Sequence, residues 1–108
     1  MGYRLNITDE RNLELSFYGT KLFGYVKDNS NLLSFKYLKS IGKINDDNVF
    51  DYGFCNAFTL TAEQARRFVE LYGDDYYNEY REPLSDVNGY EDLENVLATG
   101  NNKIVSWG

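Results

Sequence analysis

The side chains with chemistry to offer in this sequence are carboxylates and phenols: 17 Asp and Glu, and ten Tyr, in 108 residues. Histidine is absent and Cys55 is the single thiol. A Ser-His-Asp relay, a Cys-His pair and a histidine-bound zinc are thereby excluded, because each needs a base or ligand that the chain does not carry. Phosphate loops fail as well, since no Gly-x-x-x-x-Gly-Lys run occurs and the glycines are scattered as turn punctuation. Carboxylate pairs of the kind that hydrolyse glycosides arise by chance among so many acids, and a domain this small leaves little room for a sugar cleft. The expectation is a protein that is not an enzyme and carries no cofactor.

Two acidic stretches offer the hard oxygen ligands that Ca²⁺ prefers: Asp46-Asp47-Asn48 with Asp51, and Asp86 to Asp92. Neither has the alternating spacing of an EF-hand loop. Asn88-Gly89 reads as a tight turn, and Glu91 and Asp92 suit the first turn of a helix, where the dipole favours negative charge. No metal site is expected.

The densest chemistry lies in Tyr72-Gly73-Asp74-Asp75-Tyr76-Tyr77-Asn78-Glu79-Tyr80-Arg81-Glu82. On a helix Tyr72, Tyr76 and Tyr80 share one stripe, and Asp75, Glu79 and Glu82 share the next. Ordinary amphipathicity would turn the rings to the core and leave hydroxyls at the rim. A recognition face is the alternative. Tyrosine supplies contact area at low entropic cost, and carboxylates about a helical turn apart stand in for phosphates before a groove of Arg and Lys. The candidate partner-binding residues are Asp74, Asp75, Tyr76, Tyr77, Glu79, Tyr80 and Glu82, with charge from the acids and apolar contact from the tyrosines.

Charge is polarised along the chain. Residues 1–44 carry four acids and seven bases, whereas residues 45–102 carry thirteen acids and only Arg66, Arg67 and Arg81, within a net charge of -6. Lys36, Lys39 and Lys43 would form a basic stripe beside Tyr37 on a helix, but the acidic remainder opposes direct binding of nucleic acid. An acidic face that docks on a basic surface fits this balance, as does a merely solubilising one.

These residues must be positioned by a small fold. Tyr3, Leu5 and Ile7, then Leu13, Leu15 and Phe17, alternate with polar residues, and Thr8 to Asn12 joins them, which predicts a β-hairpin. Gly19-Thr20 breaks the pattern, and Leu22 to Val26 suggests a third strand bent at Gly24. Leu32, Phe35, Leu38 and Ile41 recur at helical spacing, with Asn29 or Ser30 as cap and Gly42 as stop; Leu33, Phe35 and Tyr37 leave a strand reading open. Val49 to Leu60 fits one aromatic strand or two short ones, with Cys55 packed as a small apolar side chain. Thr61 and Gln64 spell a capping box, so a helix begins at Ala62 with Ala65, Phe68, Val69 and Tyr72 inward. Gly73 either ends that helix or is tolerated until Pro83 stops it. Glu91 to Ala98 predicts a last short helix, and Lys103 to Trp107 a closing strand. The sum is one acidic α+β domain over residues 1–108: a mostly antiparallel sheet, built from the N-terminal hairpin and the C-terminal strand, with two or three helices packed on one face.

Small size, high Tyr content, the opening Tyr3-Arg4-Leu5-Asn6-Ile7, the run Phe17 to Tyr25 and the acidic tyrosine helix together resemble small proteins of phages and prophages of low-GC Gram-positive bacteria. That resemblance implies an inhibitor of host defence, in the manner of anti-CRISPR proteins and DNA mimics. The expected partner is a basic host protein that handles nucleic acid, whose nucleic-acid site is blocked. A phage structural or assembly subunit that self-associates is the alternative, and a small-molecule or metal-binding module is a third; oligomeric state stays open. With no signal-like N-terminus, no membrane-length apolar run and one thiol, the bacterial host cytoplasm is the expected compartment, without membrane attachment.

Overall fold

The computed structural model describes residues 4–21, 32–45, 49–50, 53–54 and 57–107. The predicted segment Leu22 to Val26, the caps Asn29 and Ser30, the Asp46-Asp47-Asn48 and Asp51 cluster and Cys55 lie outside the described residues.

Alternation in the first strand is obeyed residue by residue. In β1 (Arg4–Asp9), Leu5, Ile7 and Asp9 are buried while Arg4 is exposed. β1 pairs antiparallel with β2 (Ser16–Lys21), placing Ile7 opposite Phe17, with a register irregularity between Arg4 and Asn6. The second strand starts later than its apolar alternation suggests: Leu13 is 68% exposed. The reason is local, because Asp9 Oδ1 accepts the Arg11 and Asn12 N–H groups at 2.8 and 2.9 Å and curls the chain there into a turn. Gly19 does not break β2 either. A Cβ there would overlap the Phe17 ring and come within 3.2 Å of the Leu5 carbonyl oxygen, so glycine admits a close approach inside the strand.

β6 (Lys103–Trp107) closes the sheet, as expected, but from within it. The order is β2-β1-β6-β5, all antiparallel, where β5 is Phe58–Leu60. A separate ladder joins β3 (Val49–Phe50) to β4 (Gly53–Phe54), so the aromatic run is divided into short strands. Leu5, Ile7, Phe17, Leu60 and Val105 form the sheet side of the core.

The helical side follows the predicted stripes. α1 (Leu33–Ser40) buries Phe35 and Leu38 and ends before Gly42, whose φ of +76° suits a residue without a Cβ. α2 (Ala62–Tyr80) opens on the Thr61–Gln64 capping box, with Thr61 Oγ1 accepting from Gln64 N–H at 3.2 Å and Gln64 Oε1 accepting from Thr61 N–H at 3.1 Å. It buries Ala65, Phe68, Val69 and Tyr72, runs through Gly73 against Leu84, and ends at Arg81 in the left-handed region, two residues before Pro83. A 3₁₀ turn (Leu84–Asp86) leads to α3 (Tyr90–Ala98), which starts one residue before the expected Glu91 and buries Leu93 and Val96. α3 packs on β1 and β2, α2 reaches β5, and α1 stacks on α2. The fold is α+β, and each fully buried aliphatic or aromatic side chain contributes about 1.5–3 kcal/mol to it.

One buried polar network ties the layers. Lys103 and Asp9, in register across β1 and β6, are both fully buried, with Nζ 3.5 Å from Oδ2. Lys103 Nζ also donates to Thr99 Oγ1 at 2.6 Å and to the Thr99 carbonyl at 3.3 Å. Asp9 accepts from the Thr99 hydroxyl and from Asn101 Nδ2 at 3.2 Å. The Thr99 hydrogen bond, helped by the Arg11, Asn12 and Asn101 donors, outweighs burial and holds the Asp9 carboxyl well below the usual carboxylate range.

Candidate partner-binding site at the end of the tyrosine helix

Burial along α2 fades toward its C-terminus. Tyr72 is fully buried, Tyr76 is 7% exposed and Tyr80 is 43% exposed, as the helix runs out from the core. Their rings form a tilted ladder, with centroids 6.2 Å apart from Phe68 to Tyr72, 6.5 Å to Tyr76 and 4.7 Å to Tyr80. The predicted tyrosine stripe is thus core at one end and surface at the other.

The acids do not share a stripe. Asp75 is 3% exposed and turned inward: it accepts the Leu33 and Ser34 N–H groups at 2.9 Å each and the Ser34 hydroxyl at 2.7 Å. Leu32, the N-cap of α1, makes no side-chain capping bond, so Asp75 supplies the cap from another helix. Its assignment to a partner-binding face is corrected on this ground, because its charge is spent inside the fold. Tyr76 is likewise mostly core and reaches the surface only at the cleft it lines.

The remaining candidates divide between two flanks. Asp74 and Tyr77 border an open depression of about 380 Å³ with Gly73, Pro83, Leu84 and Tyr90. Tyr76, Tyr80 and Glu82 instead line a cleft of about 550 Å³ together with Arg4, Tyr18, Asp86 and Asn88. Glu79 is exposed and lines neither. Arg4 sits over the Tyr18 ring, its guanidinium carbon 5.4 Å from the centroid, a cation–π contact. Burial, then Glu82, then Tyr80 push the Tyr76 phenol above its ordinary range, and burial, then Glu79, does the same to Tyr80.

Arg4 and Tyr18 are absent from the candidates read from the sequence, and Asp86 and Asn88 enter there only as metal-ligand or turn residues, not as partner-binding ones. Tyr18 carried a signal, being an aromatic at the polar phase of an alternating strand; it is 61% exposed. Arg4, at the far end of the hairpin, and Asp86, beyond Pro83, carried no signal for this site, since only the fold brings them to α2. Among the described residues no three His, Cys, Asp or Glu converge closely enough to hold a metal ion. Asp86 closes the 3₁₀ turn, while Glu91 and Asp92 occupy the first turn of α3. No helix among the described residues is long and apolar enough to cross a membrane.

No protein-family model, curated protein or solved structure matches this chain.

Proposed function

We propose that this is a non-enzymatic, phage-derived acidic protein that binds a basic host protein handling nucleic acid and blocks its nucleic-acid site. The observation that carries the reading is the end of α2, where Tyr77, 49% exposed, and Tyr80 stand among exposed Asp74, Glu79 and Glu82. Exposed aromatic area flanked by carboxylates suits a surface rich in Arg and Lys, where the rings exclude water and the acids replace phosphates. Tyr18 adds a third exposed ring at the cleft bordered by Tyr80 and Glu82.

The test is capture from a Gram-positive host lysate on the immobilised protein, with elution from low to high salt, followed by a nucleic-acid binding assay on the protein recovered. The expected result is a basic protein released by salt and unable to bind nucleic acid while the complex persists. Reversal of Asp74 and Glu79 to Lys, both exposed, should abolish capture; Asp75 is unsuitable because its loss uncaps α1. Capture that survives this reversal, or a captured protein that still binds nucleic acid, would overturn the reading. Recovery of the bait alone, self-associated in light scattering, would overturn it in favour of an assembly subunit.

A further inference from the structure

The cleft between β2, the end of α2 and the 3₁₀ turn holds a polar group left over by the fold. Tyr76 is more than nine-tenths buried, yet its hydroxyl has no hydrogen-bond partner among the described residues, and the residue lines the cleft. Buried tyrosine hydroxyls are ordinarily paired, so this one is available to a ligand atom. Around it stand two further rings, Tyr18 and Tyr80, and two exposed carboxylates, Glu82 and Asp86. Among the described residues lining the cleft the one cation is Arg4, against the carboxylates Glu82 and Asp86, and that balance disfavours phosphates and favours cations.

The geometry already displays the preferred ligand group in miniature. Arg4 rests on Tyr18, leaving Tyr76, Tyr80, Glu82 and Asp86 on the other borders of the same space. A planar guanidinium stacks on aromatic faces and forks to carboxylates, which an ammonium does less well. At about 550 Å³ the cleft accommodates an arginine side chain with its flanking backbone.

We propose that the cleft is a socket for one arginine side chain of the basic partner, stacked beside Tyr80, paired with Glu82 and Asp86 and hydrogen-bonded to the Tyr76 hydroxyl. This rests on the reading of the α2 end as an acidic docking face, and names the contact that anchors it. The raised tyrosine affinities for their protons agree with it, since the field of Glu82 that opposes phenolate at Tyr76 attracts a cation to the same place.

The experiment is a two-dimensional NMR titration of the full chain with the tripeptide acetyl-Gly-Arg-Gly-amide, against the same tripeptide carrying citrulline, the neutral isostere of arginine. The arginine peptide should saturably shift signals of Tyr18, Gly19, Tyr76, Tyr80 and Asn88, and the citrulline peptide should not. Glu82→Gln with Asp86→Asn should weaken binding by about tenfold, as expected for lost charge-assisted bonds. Tyr76→Phe, which keeps the buried ring, should weaken it about threefold, and Arg4→Gln should strengthen it by a similar factor. Equal shifts from the two peptides, shifts centred on Asp74 and Tyr90 instead, or binding indifferent to the Glu82 and Asp86 changes would each overturn the socket. If a blocked partner is captured equally well by the Glu82→Gln, Asp86→Asn variant, the socket fails and the inhibitor reading stands. If the arginine peptide seats in the cleft but no captured protein is blocked, the reading fails and the socket stands.

Discussion

The carboxylate of Asp75, in the third quarter of α2, closes the N-terminus of α1 by accepting both the backbone N–H and the hydroxyl of Ser34, at 2.9 and 2.7 Å. With the Leu33 N–H also bound at 2.9 Å, one side chain satisfies two of the amides that a helix start leaves without intrahelical partners. The bond joins two packed helices, so its loss is felt in tertiary structure as well as at the cap. Asp75→Ala should therefore lower unfolding free energy by about 1–3 kcal/mol, the range of a lost cap plus an unsatisfied buried donor. Asp74→Ala, one residue earlier and exposed, should change it by less than about 0.5 kcal/mol. Urea denaturation of both variants checks this, and equal effects would contradict the assignment of Asp75 to the fold.

The Asp9–Lys103 network predicts a specific acid response. The folded state holds the Asp9 carboxyl well below its ordinary range, chiefly through Thr99. A depressed folded value means that the unfolded chain takes up the proton first as pH falls. The stabilisation is accordingly complete above the unfolded value of about 4 and is lost progressively below it. The gap in denaturation midpoint between the natural chain and Asp9→Asn should be constant from neutral pH down to about pH 5 and narrow from about pH 4 downward. A gap that stays constant to strongly acid pH would show that Asp9 acts only through neutral packing.

Local signals were legible in the sequence and distant ones were not. Thr61 and Gln64 are three residues apart and complete each other's hydrogen bonds, so the start of α2 could be read directly. Asp75 and Ser34 are 41 residues apart, and the helical wheel that grouped Asp75 with Glu79 and Glu82 could not know that α1 lies on that side of α2. Tyr76, Tyr80 and Glu82 do meet at one cleft, but Arg4 and Tyr18 reach it from the hairpin and Asp86 from beyond Pro83. Leu13 misled because alternation marks what a strand would bury, while the Asp9 turn decides where the strand resumes.

The legible cap yields its own prediction. Thr61→Ala should cost about 1 kcal/mol, because the Gln64 amide loses its acceptor at the helix start. Gln64→Ala removes only the returning bond to an exposed backbone amide and should cost less. Thermal unfolding of the two variants checks the order, and Thr61→Ser should retain most of the stability.

Gly89 and Gly100 bracket α3 and should respond in opposite ways to alanine. Gly89, at the N-cap of α3, has φ of +88°, a conformation in which a Cβ meets the following carbonyl oxygen. Gly100 lies just past the helix with nothing within 4 Å of a Cβ placed on it, and its φ is not positive. Gly89→Ala should therefore destabilise by about 1–2 kcal/mol, whereas Gly100→Ala should be neutral or stabilise by a few tenths of a kcal/mol through the unfolded chain. Gly89→Asn separates backbone strain from loss of space, since Asn visits the left-handed region and also caps helices. Its cost should fall below that of alanine although its side chain is larger. Chemical denaturation of the three variants reads this order, and an Asn variant less stable than the Ala variant would place the cause in crowding near Phe17 rather than in the backbone angle.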